Sequence, residues 1–293
     1  MKSEREIIEK LKKAFPKGKA EIGIGDDAAV YQNLVFTTDL LVEDSHFKRE
    51  HPPFYLGRKS VNVNLSDVAA MGGEPLFVLM SLSLPPDLTD KWLDELMDGV
   101  KDACEKGNCT LIGGDISRSE KIFISVTAIG QVEKPVLRGT GKEGEKIVLV
   151  GRVGDSRAGR EVIEEGLHGF EELKMAFFDP IPKLKEGKIA ASFATSMIDV
   201  SDGLVLDLRR MLGKKGAVLY PSSLEPSPYL EQYCEMKGKD PLEYMLYGGE
   251  DYALIFTTPE SPPLGRIIGE VKGEGGIQLD SLILREIGFE HFS

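Results

Sequence analysis

Residues 196–204 read Ser-Met-Ile-Asp-Val-Ser-Asp-Gly-Leu. A short apolar run stops at two aspartates, a serine and a glycine, and apolar spacing of helical period restarts at Leu204. The pattern predicts a strand over 196–200 and a helix over 204–211 capped near Asp202. The same chemistry recurs upstream. Gly25-Asp26-Asp27, Thr37-Thr38-Asp39, Asn64-Leu65-Ser66-Asp67 and Gly113-Gly114-Asp115 each set an aspartate beside Gly, Ser or Thr, at or near the end of an apolar run. One such aspartate alone is ordinarily a turn or cap residue. The combination reads differently, because strand ends and tight turns let carboxylates converge on one point. Carboxylate plus hydroxyl oxygen is the ligand set of a hard cation such as Mg2+. Several such ions in one site go with bound phosphates, whose charge they neutralise.

Working outward, Ser3 and Glu6 form a capping box for a helix through about Phe15. Strands are expected over 34–41, 77–84, 122–132, 146–153, 253–258 and 267–271, and a short buried one over 110–112. Helices are expected over 56–71, 89–106, 156–165 and 183–193. Asn64 and Asp67, three apart, share one helix face. This alternation places the chain in an α/β or α+β class. At 293 residues two domains are expected, and the polar, glycine-rich stretch 137–145 separates them into units 1–138 and 139–293.

A net charge of -12 argues against nucleic acid as a partner. Cys104, Cys109 and Cys234 form no CxxC pair and no zinc spacing, so a reducing cytoplasm is the expected compartment. The N-terminal residues carry no apolar leader pattern, and no stretch approaches the length of a membrane span. A P-loop, a protein-kinase signature and a GxGxxG motif are all missing. A nucleotide would therefore be held through carboxylate-bound metals and backbone amides. Gly113-Gly114 allows close backbone approach to a phosphate, with Asp115 beside it, and Arg138 in the hinge can reach phosphate oxygens. His46 follows the Thr-Thr-Asp strand, and Gly248-Gly249-Glu250-Asp251 reads as a loop shaped to present acids.

The ordered series GIGDDAAV (23–30), TTDLLVEDSHF (37–47), NLSDVAAMGGEP (64–75), LIGGDISR (111–118), IDVSDGL (198–204) and YGGEDYAL (247–254) resembles the thiamine-monophosphate kinase family. That family lies in the aminoimidazole-ribonucleotide-synthetase-like superfamily. The resemblance implies an N-terminal ATP- and metal-binding domain that forms a β-barrel across a homodimer, and a C-terminal α/β domain. It implies transfer of the ATP γ-phosphate to thiamine monophosphate with several Mg2+ ions. Its metal ligands would be Asp27, Thr37, Thr38, Asp39, Asp67, Asp115, Asp199 and Asp202, with Asp39, Asp67 and Asp202 central to catalysis. Gly114, Asp115, Arg138 and Ser201 would hold ATP; His46, Glu250 and Phe289 would bind the thiamine moiety. Met97 stands where the family often has an aromatic residue near ATP, so its stacking role is in question. Selenophosphate synthetase and the hydrogenase-maturation enzymes share the motif style. They need a reactive Cys near the N-terminus or at the C-terminus, and the sequence has neither. A nucleotide-sensing module without turnover is the reading from another class.

Overall fold

The computed structural model describes residues 3–288, the Arg5 side chain excepted. The chain opens with α1 (Glu4–Ala14), where Ser3 accepts from the Glu6 N–H and Glu6 answers the Ser3 N–H, completing the capping box. It continues with β1 (Ala29–Tyr31), β2 (Leu34–Val42), α2 (Pro53–Ala70), β3 (Glu74–Leu84), α3 (Asp90–Lys106), β4 (Thr110–Arg118) and β5 (Phe123–Gln131). The five strands make one sheet in the order β1-β2-β5-β3-β4.

The remainder comprises β6 (Lys146–Val150), α4 (Asp155–Glu164), α5 (Glu171–Phe178), α6 (Leu184–Ala190), β7 (Ser196–Asp199), α7 (Leu204–Leu212) and β8 (Lys215–Leu219). It ends with α8 (Pro228–Lys237), α9 (Pro241–Tyr247), β9 (Leu254–Thr258), β10 (Arg266–Glu274), β11 (Ile277–Leu279) and β12 (Leu282–Ile283). These seven strands form a second sheet, β12-β11-β8-β10-β6-β9-β7. The fold is mixed α/β with two open sheets, and no closed barrel is present among the described residues. No described helix is long and apolar enough to cross a membrane.

Alternation explains the first sheet. On β5, Ile124, Val126 and Ala128 point to one face and pack with Val61, Leu65 and Val68 of α2 and Leu96 and Val100 of α3. Each such buried side chain contributes roughly 1.5–3 kcal/mol by area removed from water. The opposite face leaves Leu40, Phe77 and Leu79 exposed. The expected short buried strand at 110–112 is corrected: β4 runs on to Arg118 and is exposed at every residue, because it is an edge strand paired only with β3.

Helix α2 joins the two sheets. Its last turn, at Ala69 and Ala70, packs against Val148, Met197, Leu254 and Phe256 of the second sheet. It is thus buried nearly all round although Arg58, Lys59, Ser60, Asn62, Asn64 and Ser66 are polar. Buried polar groups cost free energy unless bonded. Where their partners lie decides what the helix does.

Candidate active site

Strand β1 covers only Leu34–Phe36 of β2, so the edge of β2 over 38–42 is left open. That edge walls a cleft of about 890 Å³. The facing wall is the turn after β7, with Ser201 and Asp202, and the loop holding Glu250 and Tyr252. Arg157 and Arg160 of α4 border the outer end.

Next to Asp39 lies a carboxylate cluster. One oxygen each from Asp27, Asp67 and Asp199 falls within 4.8 Å of the others. The carriers are the loop before β1, the C-terminal half of α2 and the end of β7. Thr37 donates its hydroxyl to Asp67 Oδ2 at 2.5 Å, and Ser66 donates to Asp199 Oδ2 at 2.7 Å. Arg138 pairs with Asp27 Oδ1, while its backbone N–H donates to Asp26 Oδ2 at 3.1 Å. Asp27 Oδ2 is buried with no hydrogen-bond partner. Burial first, and then mutual repulsion, pushes Asp67 and Asp199 well above the ordinary carboxylate range. Burial also raises Asp27 despite Arg138, and burial with the Asp202 charge raises Asp39 to about 6. Three crowded carboxylates with an orphaned oxygen are unfavourable as anions unless a cation joins them. The donor set is all oxygen, so these residues fit Mg2+.

Sheet register divides the remaining candidates. Asp39 pairs with Val126, on the face toward α2. Its N–H donates to Asn64 Oδ1 at 3.0 Å, which ties the strand to the helix. Thr38 pairs with Thr127, on the other face, and its hydroxyl donates to the Val126 carbonyl at 3.1 Å. Asp115 pairs with Ser81, which pairs with Ser125, and so also lies on that open face. It makes no hydrogen bond or ion pair among the described residues, and the chain does not bring it to the buried cluster. A Cβ at Gly114 would meet the Met80 carbonyl oxygen at 1.6 Å, so close strand approach already accounts for that glycine. Met97 is half-buried on α3 against the first core and does not border the cleft.

At the other end of the cleft, His46 Nδ1 accepts from the Val42 N–H at 3.0 Å. Glu250 has a left-handed backbone, φ 61°, which costs a non-glycine residue roughly 1–2 kcal/mol. Its N–H donates to the Ser201 carbonyl at 2.7 Å, and a Cβ at Gly249 would sit 2.6 Å from that same oxygen. The glycine therefore lets the loop lie directly on the turn after β7. Asp251 accepts from the Gly154 and Ser156 N–H groups at 2.8 and 3.2 Å, so the second acid of the pair starts α4 instead of facing the cleft. Phe289 lies outside the described residues; Gly288, just before it, borders the cleft.

The expected cap at Asp202 is also corrected. Gly203 holds the N-cap position of α7 without a side-chain bond. Asp207 Oδ2 instead takes the N–H groups of Ser201, Asp202 and Gly203 at 3.0, 2.8 and 3.1 Å. Arg210 then pairs with both Asp202 and Asp207. The sequence reading missed Asp207, Arg210, Arg157 and Lys59. An acid in the first turn of a helix was the available signal for Asp207. Nothing in the spacing marks Lys59.

Residues 25–132 match the family described as AIR synthase related protein, N-terminal domain. Over 283 residues the chain is 38% identical to the thiamine-monophosphate kinase of Aquifex aeolicus, covering 92% of each protein. The chain belongs to the thiamine-monophosphate kinase family. Within that family, a solved structure of "AaThiL complexed with AMPPCP and TMP" superposes with a TM-score of 0.93 at 37% identity, covering 99% of this chain and 97% of that one. Escherichia coli HypE, a hydrogenase maturation protein, matches at a TM-score of 0.71 and 20% identity, covering 98% of this chain and 96% of that one. At that identity the likeness to HypE is one of fold alone, so the thiamine-monophosphate kinase family is the functional comparison.

Proposed function

We propose that the protein transfers the γ-phosphate of ATP directly to the phosphate of thiamine monophosphate, giving thiamine diphosphate and ADP. The observation that carries this reading is the buried Asp27–Asp67–Asp199 cluster beside a cleft that also holds His46 and Glu250. Family membership supports it, as does the likeness to a relative solved with AMPPCP and TMP. Asp27, Asp67 and Asp199 would hold Mg2+, with Asp39 and Asp202 beside them. The bound ions would supply neutralisation of polyphosphate charge. Thr37 and Ser66 orient two of those carboxylates by donating to them. Arg138 fixes the Asp26-Asp27 loop, and its guanidinium would turn to phosphate oxygens when ATP is bound. His46 and Glu250 would orient the thiamine moiety, and Ser201 the nucleotide. The acceptor phosphate is largely ionised at neutral pH, so the chain needs no strong general base. Its contribution is positioning and electrostatic stabilisation. The test is turnover of ATP and thiamine monophosphate with Mg2+, products identified by mass. Thiamine diphosphate with stoichiometric ADP is expected; AMP as the nucleotide product, or no diphosphate, would overturn the reading.

We assign residues 1–138 to the nucleotide and metal unit and 139–293 to a second α/β unit, in line with the separate sheets. A cytoplasmic location accords with three free thiols. The open face of the first sheet, with Leu40, Phe77 and Leu79, and the exposed edge β4, with Ile112 and Ile116, favour a homodimer that buries them and closes a barrel. Gly114 and Asp115 would then serve ATP and metal from beside the interface. Light scattering at micromolar protein should give a dimer, and specific activity should fall on dilution. A monomer with full activity would exclude the dimer as a requirement.

A further inference from the structure

Lys59 is 3% exposed, in the middle of α2, and belongs to none of the acidic motifs. Its ammonium lies 2.8 Å from Glu250 Oε1, donates to the Phe177 carbonyl at 3.1 Å, and stands 4.0 Å above the Phe177 ring. Glu250 reaches it from the cleft loop, whose backbone is tied to the turn after β7 at Ser201 and Val200. The carboxylate is therefore fixed twice, by its backbone and by a buried cation. The recorded pairing is through Oε1, and the side chain, 23% exposed, still borders the cleft.

This arrangement changes what Glu250 can recognise. A bare carboxylate in a cleft attracts any cation and holds it with little directional preference. A carboxylate with an ammonium at contact distance is half of a neutral pair, so its field falls off quickly. What remains is one oxygen in a fixed direction, which rewards a hydrogen-bond donor placed in line with it. Thiamine monophosphate offers both features: a permanent thiazolium cation, and an aminopyrimidine with a neutral N–H donor.

We propose that Lys59 is a specificity-determining positioning residue that, by pairing with Glu250, makes the cleft read a neutral aromatic amine by direction instead of a cation by charge. This rests on the reading of the protein as a thiamine-monophosphate kinase. It extends that reading from which substrate binds to which atom group of the substrate is selected.

The experiment compares thiamine monophosphate with oxythiamine monophosphate, in which the amine is replaced by a carbonyl while the thiazolium is kept. Turnover of both is measured in the wild type, Lys59→Met and Glu250→Gln, with the KM for ATP followed in each. Wild type should favour the amine by about 10⁴-fold or more in kcat/KM, the scale expected where a site is built to bond a donor. Lys59→Met should lose about tenfold or more of that ratio, as the bare carboxylate comes to hold both acceptors by their thiazolium charge, with the KM for ATP within about twofold. A selectivity ratio is independent of the fraction of folded enzyme, so a purely structural role for Lys59 would not move it. An unchanged ratio in Lys59→Met overturns the proposal while leaving the kinase reading intact. If the wild type phosphorylates neither acceptor, the kinase reading falls and the proposal with it. Should Lys59→Met fail to fold, Glu250→Gln carries the decision: it should lose the same selectivity, and retention of the ratio there overturns the proposal.

Discussion

Up to its midpoint at Asn62, α2 buries Arg58, Lys59 and Asn62, and each finds a partner elsewhere in the chain. Arg58 bonds Asp179 at 2.7 Å and pairs with Asp102, Lys59 pairs with Glu250, and Asn62 donates to the Pro180 carbonyl at 2.9 Å. In its C-terminal half, the same helix sets Asp67 against Asp27 and Asp199, with Asp39, whose carboxyl holds its proton up to about pH 6, alongside. Both halves are deeply buried. In the first, each cation meets acids or carbonyls of the chain; the second gathers three carboxylates against one chain cation, Arg138, and leaves negative charge for a ligand to balance. A buried polar group paired within the chain needs no ligand to balance it. Buried like charges with an orphaned oxygen point to a binding site.

The comparison breaks most directly at the acidic end. Asp39→Asn and Asp67→Asn should each lower kcat at least about 100-fold, the scale of removing one electrostatic stabiliser. The ligand-free melting temperature should hold level or rise, because one repelling charge is gone. Normal turnover at saturating Mg2+ in either variant would show that the cluster is not the site.

The paired end should respond in the opposite sense. Arg58→Met leaves Asp179 and Asp102 without their shared cation and should cost about 3 kcal/mol of folding stability, as breaking a buried pair does. Activity per folded molecule should change little. If stability were untouched and turnover lost, Arg58 would belong with the site and the division of α2 would fail.

How much of this was legible in sequence follows from the range of each signal. The strand-to-helix turn at 196–204, the helix at 89–106 and three of the acidic motifs are local patterns, and they reappear as β7 with α7, as α3 and as the Asp27–Asp67–Asp199 cluster. Edge status is not local. The run 110–112 looks buried because it is apolar, yet β4 is exposed because only β3 flanks it. Lys59 was invisible for a related reason: its partners, Glu250 and Phe177, lie far along the chain. Helices α5, α8 and α9 were missed, the last two in a stretch where prolines and charges interrupt the apolar period. Asp115 was expected just past a strand end but lies within β4, as Thr38 lies within β2, and only register reveals that both face away from Asp39.

A pH series sharpens the acidic end. Burial and the Asp202 charge raise Asp39 from the ordinary 3.8 to about 6. Between those values the folded protein keeps a proton that the unfolded chain has lost. The contribution of this group to unfolding free energy therefore falls as pH rises through that window and stays low above it. Without divalent cation, the melting-temperature difference between Asp39→Asn and wild type should grow in favour of the variant from about pH 4 to pH 6. Saturating Mg2+ should remove or reverse the trend. A difference that is flat with pH would place the repulsion elsewhere.

The smallest effect tests the satisfied end. His51 precedes α2, with its ring edge-on to Phe177 and Phe178 at 5.8 and 5.1 Å between centroids. Its Nδ1 accepts from the Lys48 N–H at 3.2 Å, so the neutral ring is the bonded form. Burial is the largest cause that lowers its pKa from the ordinary 6.5. The folded state therefore resists protonation more than the unfolded chain. Stability from this group is complete above about pH 6.5 and is lost as pH falls through the lower folded value. Replacing the ring by Phe, His51→Phe, removes the titration. Relative to wild type, the variant should gain about 1 °C between pH 7 and pH 5.5, a shift kept small because the ring is only half-buried. A larger gain would mean that the aromatic cluster under Lys59 depends on the charge state of His51. A variant that loses ground on acidification would mean that the ring is protonated in the folded protein, and that this end of α2 is not satisfied by neutral partners after all.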